Sequence, residues 1–128
     1  MKLFPLVVLA LCALGFLGFG LWMLLAPAGA LSKIGVEATS PVGLVELRAF
    51  YGGLELGLGL FLGLCLWRPE WREAGLWLVM LANGGMGLSR LLGIWLGGAA
   101  VGGYLGWALV WELGFAALGG VALALGRA

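Results

Sequence analysis

Apolar residues run almost unbroken along four stretches of the chain, with short polar interruptions between them. The first extends from about Leu3 to Ala26 and stops at Pro27, where a helix is disfavoured from continuing. The segment 28–40 is the one sizeable polar connection, holding Ser32, Lys33, Glu37, Thr39 and Ser40. Ser40-Pro41 is a helix start, with serine as N-cap and proline at the first helical position. The second stretch then reaches Trp67. Arg68-Pro69 ends it, because the residue before a proline avoids the helical region. Pro69 opens the third stretch, with Glu70 and Glu73 in its first turn, where the helix dipole favours acids. Gly97-Gly98 makes a tight connection into the fourth. The pattern predicts spans at about 3–26, 41–67, 70–96 and 99–125. Each has ~23–27 residues, enough to cross a ~30 Å hydrocarbon core with some tilt. The expected fold is all-α, an integral membrane four-helix bundle forming one domain over residues 1–128.

Composition agrees. The chain is 63% hydrophobic and 10% charged, too little polar surface to clothe a soluble domain. The first apolar run is far longer than the ~7–15 residues of a secretory signal and is expected to be a retained span. Cys12 does not suit a lipoprotein cysteine, since Leu11 stands where a small residue is needed. Net charge is +1 and no basic cluster exists, so no nucleic-acid partner is expected. The absence of histidine and aspartate removes Ser-His-Asp chemistry and most metal sites. No cofactor is expected. Cys12 and Cys65, without C-x-x-C spacing, read as small core fillers.

Basic residues set an orientation. Lys2, Arg68, Arg72 and Arg127 fall on one side of a four-span chain and Lys33 alone on the other. Both termini are therefore expected in the cytoplasm, with the chain multi-pass in the inner membrane. Trp67 and Trp71 would mark the inner interface, Trp22 and Trp95 the outer one.

Six positions break the apolar pattern inside the spans: Glu46, Arg48, Glu55, Asn83, Arg90 and Glu112. A charge at mid-bilayer costs about 2.5–3.5 kcal/mol on insertion scales, so such groups are expected to face inward and meet one another. Helical spacing puts Arg48, Gly52, Glu55 and Gly59 on one face of span two. Asn83, Gly87, Arg90 and Gly93 follow a similar line on span three, and Ala108, Glu112, Phe115 and Gly119 on span four. Counted from the outer ends, Arg48 and Arg90 should lie ~10 Å deep and Glu55 and Glu112 ~20 Å. Two readings stay open: a polar pocket opening outward, or buried Arg–Glu pairs that only set helix register. Glu46 falls on the opposite face near the outer end, where interfacial water can solvate it. Tyr104, Trp107 and Trp111 form an aromatic stripe, and such stripes serve packing more often than ligand binding. Tyr51 and Trp111 complete the candidate ligand-binding set with Arg48, Glu55, Asn83, Arg90 and Glu112; none is assigned a catalytic or metal role. The pairs Gly53/Gly57, Gly59/Gly63, Gly98/Gly102 and Gly102/Gly106 fit close helix crossing.

The run Val45-Glu46-Leu47-Arg48-Ala49-Phe50-Tyr51-Gly52-Gly53-Leu54-Glu55, then Arg68-Pro69 and Gly87-Leu88-Ser89-Arg90-Leu91-Leu92-Gly93, resembles a bacterial family of small four-span membrane proteins known as a domain of unknown function. In outline the chain is also similar to the DoxX-like four-helix membrane proteins. The resemblance implies four spans and a shared polar cluster holding Arg48, Glu55 and Arg90, and no reaction. Three functions remain open. The first is binding or transport of a small amphiphilic or anionic molecule. The second is a structural or assembly role, with a membrane-complex partner or a second copy. The third is intramembrane acid–base chemistry by Glu55 and Glu112, which no motif supports. Membrane lipid is the one partner common to all three.

Overall fold

A computed structural model describes residues 3–127. Lys2 lies outside the described residues, as does the Arg127 side chain. The fold is all-α: α1 (Leu3–Leu25), α2 (Pro27–Lys33), α3 (Pro41–Leu47), a seven-residue π-helical stretch (Arg48–Leu54), α4 (Glu55–Trp67), a 3-10 turn (Pro69–Trp71), α5 (Arg72–Gly97) and α6 (Gly103–Arg127). Four continuous helical segments are long and apolar enough to cross a membrane: Leu3–Leu25, Pro41–Trp67, Pro69–Gly97 and Gly103–Gly126.

Local chemistry explains the boundaries. Ser40 is extended and its Oγ accepts a hydrogen bond from the Gly43 N–H at 3.0 Å, while Pro41 supplies a preset first helical residue. Arg68 is extended before Pro69. The Arg72 Nη2 donates to the Leu66 carbonyl at 3.3 Å, covering one of the carbonyls that the end of α4 leaves without a helical partner. Trp67 and Trp95, at span ends, are 85% and 79% exposed, as suits side chains at a membrane–water boundary.

Three features depart from the sequence pattern. The segment 28–40 is not irregular throughout, because Pro27 starts α2 as well as ending α1. The fourth span begins at Gly103, four residues later than expected. Gly98 (φ 66°) and Gly103 (φ 52°) both adopt left-handed backbone, which holds the connection between them out of the helix. The third is the π-helical stretch, whose i→i+5 bonds interrupt the α winding of span two.

The chain divides into two compact units, residues 10–64 and residues 1–9 with 65–128. In residues 10–64, α1 lies directly against the second span. A Cβ on Gly20 would stand 2.8 Å from the Leu56 nitrogen, one on Gly52 3.0 Å from the Leu24 nitrogen, and one on Gly59 2.7 Å from Leu17 Cγ. Beside this crossing Met23, Ala30 and Leu31 form a core, packed by Phe19, Ile34, Val36, Leu44, Leu47 and Tyr51. In the other unit α5 packs on α6. Gly119 lets α6 approach to where a Cβ would meet the Met80 nitrogen at 3.1 Å, and Gly75 makes room for Cys65 Sγ and Leu9. Gly53, Gly57, Gly63, Gly102 and Gly106 have open space where a side chain would be. Of the Gly-x-x-x-Gly pairs, Gly59/Gly63 has a close approach at Gly59 alone, and the other three have none. Cys12 and Cys65 are buried and form no disulfide.

Candidate functional site

On α5, Asn83 and Gly87 are buried and Arg90 is half-buried, one line along the helix at spacings of four and three. On α6, Ala108, Glu112, Phe115 and Gly119 form the matching buried line. Gly87 sets how closely the two lines meet: a Cβ there would lie 2.7 Å from Leu113 Cδ2 and 3.4 Å from Glu112 Cβ. With the helices this close, Arg90, one turn beyond, reaches Glu112 with two parallel bonds. Nε donates to Oε2 and Nη2 to Oε1, each at 2.8 Å. This fork geometry is the strongest arrangement a carboxylate and a guanidinium can adopt. The Glu112 side chain is 6% exposed and that of Arg90 24%. The guanidinium also lies 5.4 Å from the centroid of the Tyr104 ring, a cation–π contact on its other flank.

The late start of α6 changes the depths. Nine residues separate Gly103 from Glu112, ~13 Å of helix, and seven separate Arg90 from Gly97, ~10 Å. Glu112 is thus nearly level with Arg90, not ~10 Å beneath it as a span starting at residue 99 predicts. That levelling is what lets the pair close.

Next to Glu112 runs an aromatic row. The Trp107 and Trp111 rings stack at 5.5 Å and 17°, and Trp111 meets Phe115 at 4.6 Å. Exposure falls along it, from 65% at Trp107 to 7% at Phe115. Asn83, two turns before Arg90, is fully buried, and its Nδ2 donates to the Val79 carbonyl at 2.9 Å.

Within residues 10–64 the candidate residues are placed differently. Arg48 is exposed, not turned inward as α-helical spacing predicts; it opens the π-helical stretch, whose wider turns offset it from Glu55 and Gly59. Tyr51 packs on α1, 6.4 Å from the Phe19 ring, and joins the Met23 core. Glu55 is half-buried in the first turn of α4, and Glu46 is exposed.

These placements unite a buried ion pair with four helices of membrane-crossing length. The model of one protein family, described as Domain of unknown function (DUF4345), matches residues 6–123. The chain belongs to the DUF4345 family. Arg48, Glu55, Asn83, Arg90 and Glu112 all lie inside the segment that matches DUF4345. Comparison with curated proteins and with solved structures returns no match.

One feature of this DUF4345 chain does not follow from its residue pattern. A cleft of about 580 Å³ is lined by Ala28, Leu31, Ser32, Val36, Glu37, Ala38, Thr39, Ser40, Pro41 and Leu44. Its signal was present as the cluster of serine, threonine and glutamate between the first two spans, which reads equally as a solvated loop. Among the described residues no group of three or more cysteine or acidic side chains is placed to hold a metal ion.

Proposed function

We propose that the protein binds or transports a small amphiphilic or anionic molecule inside the membrane, with Arg90 and Glu112 at the centre of its site. The observation that carries this reading is the doubly bonded pair, buried on the Glu112 side and accessible on the Arg90 side. A pair that only set helix register would gain little stability from its charges, since hydrophobic residues of similar volume often do as well. An exchangeable pair does something hydrophobic packing cannot. The Arg90 guanidinium, reached from its accessible side, can exchange the Glu112 carboxylate for the carboxylate or phosphate of an incoming molecule. The Trp107–Trp111–Phe115 row offers an apolar wall for the rest of an amphiphile, and Asn83 and Trp111 belong to the same proposed site.

The proposed location is a plasma membrane with both termini in the cytoplasm. The support is the count of basic residues: Arg68 and Arg72 between spans two and three, Lys33 alone between spans one and two.

The test is uptake or binding of lipophilic carboxylates by purified protein in liposomes. The parent should bind them and Arg90→Gln about tenfold less. Equal binding by both proteins would rule the reading out. The second reading, an assembly subunit, is favoured by the exposed, unoccupied glycines Gly53 and Gly57. Gentle solubilisation followed by mass determination separates the two: a co-purifying partner polypeptide supports the assembly role.

A further inference from the structure

The connection between the first two spans is fixed at both of its ends. At the end of α2, Gly35 stands at φ 76°, and the N–H groups of Ile34, Gly35 and Val36 bond back to the Leu31 and Ser32 carbonyls. At the start of α3, Ser40 caps the helix and Pro41 presets its first residue. Leu31, Val36 and Leu44 tie the same segment into the Met23 core. The 580 Å³ cleft bordered by this segment is therefore preformed. Its size lies in the range of about 300–1,000 Å³ that takes small molecules.

The lining divides into two chemistries. Leu31, Val36 and Leu44 are its apolar part, buried at Leu31 and half-buried at the other two. Glu37, Ser32 and Thr39 are exposed and polar. The Glu37 carboxylate makes no hydrogen bond or ion pair with another side chain among the described residues. Lys33, the nearest cation along the chain, neither lines the cleft nor pairs with Glu37. The Thr39 hydroxyl likewise has no partner among the described residues. Ser32 Oγ gives its hydrogen to the Gly29 carbonyl at 2.9 Å, which leaves its lone pairs to accept. What these three groups offer a visitor is negative charge and acceptor oxygens.

We propose that this cleft binds a primary ammonium carrying a short apolar body. The three N–H donors of the ammonium meet the Glu37 carboxylate and the Thr39 and Ser32 oxygens. The apolar body lies on Leu31, Val36 and Leu44. Other classes fit these walls less well. A carboxylate or phosphate would face Glu37 with no cation in the lining. A quaternary ammonium has no N–H for the acceptors, and no aromatic ring lines the cleft to hold it by a cation–π contact. A neutral alcohol leaves the carboxylate charge unmatched. The cleft stands where the first two spans end, so an amphiphilic amine reaches it from water or from the membrane boundary. The Arg90–Glu112 pair takes no part in this site, and the inference stands or falls separately from the function proposed above.

Nuclear magnetic resonance of the full chain in phosphatidylcholine bicelles tests it, by titration with hexylamine, hexyltrimethylammonium, hexanoate and hexanol. Hexylamine should shift the backbone amides of residues 31–44 to a saturating limit, and the other three should not. Glu37→Gln should weaken hexylamine binding about tenfold, the loss expected when a charge-assisted hydrogen bond is removed. Thr39→Val, which keeps the carboxylate and deletes one acceptor, should weaken it about threefold and carries the test if Glu37→Gln does not fold. Glu70→Gln, in the connection between spans two and three, should leave it unchanged. Replacing part of the phosphatidylcholine with phosphatidylethanolamine should not displace hexylamine; displacement would assign the site to a lipid headgroup and overturn the free-amine proposal. Undiminished binding in both Glu37→Gln and Thr39→Val overturns it too. So does saturation by hexyltrimethylammonium or hexanoate at equal affinity, or an equal loss in Glu70→Gln, which would reduce the effect to general surface charge.

Discussion

The α5–α6 pair and the hairpin of α1 with the second span use the same residue vocabulary and end in different states. Each sets an arginine within one or two turns of a glycine where a neighbouring helix comes close: Arg90 beside Gly87, Arg48 beside Gly52. On α5 the arginine is paired and half-buried. On the second span it is exposed. The difference lies in the helix opposite. α6 presents Glu112 at the depth Arg90 occupies, whereas α1 carries no acidic or basic side chain from Leu3 to Leu25. Close approach without a counter-charge gives an arginine nothing to turn toward, and the π-helical stretch at Arg48 carries it to the outside. An intramembrane charge is therefore placed by what the facing helix offers, more than by its own periodicity.

The sharpest way to break this contrast is to remove the counter-charge. Glu112→Leu should strand a partly buried guanidinium and destabilise the protein by about 3–5 kcal/mol, read from unfolding in a graded detergent titration. Adding Arg90→Leu to it should recover most of that loss; a double variant as unstable as the single one would mean that the pair is not where the cost arises. Next in size is the glycine contrast. Gly52→Ala forces a Cβ to 3.0 Å from the Leu24 backbone, which cannot yield, and should cost about 1–3 kcal/mol. Gly87→Ala meets the end of the flexible Leu113 side chain and should cost less in the same titration. Ser40→Ala removes the cap that starts the second span and should cost about 1 kcal/mol, seen as lower thermal stability with unchanged helix content by circular dichroism. The smallest effect is expected at Arg48→Gln in detergent, within about 0.5 kcal/mol, because an exposed side chain without partners has little to lose. A large loss there would mean that Arg48 is held within the fold and would erase the contrast.

Residue spacing converts to a helix face where the backbone is regular and not where it is wound differently. Asn83, Gly87 and Arg90 lie in an uninterrupted α-helix, so their spacing states their face correctly, and the same holds for Ala108, Glu112, Phe115 and Gly119. Arg48, Gly52 and Glu55 have a comparable spacing, but the backbone between them is wound differently, and residue counts no longer convert to angles. Tyr51, a candidate by its place in the chain's motif, has its ring against Phe19 and the Met23 core. The depth of Glu112 depends on whether a glycine continues a helix or ends it, and Gly98 and Gly103 end it.

What the amino-acid order determined unaided is the number of spans and most of their ends. Length, hydropathy, Ser40-Pro41 and Arg68-Pro69 act through local backbone preferences and the solvent, and both operate on each segment separately. It also determined that arginines and glutamates buried in such spans need compensation. Which of them find it was decided only in three dimensions, because an ion pair depends on the height and rotation of two helices at once. Neither quantity exists until the helices have packed.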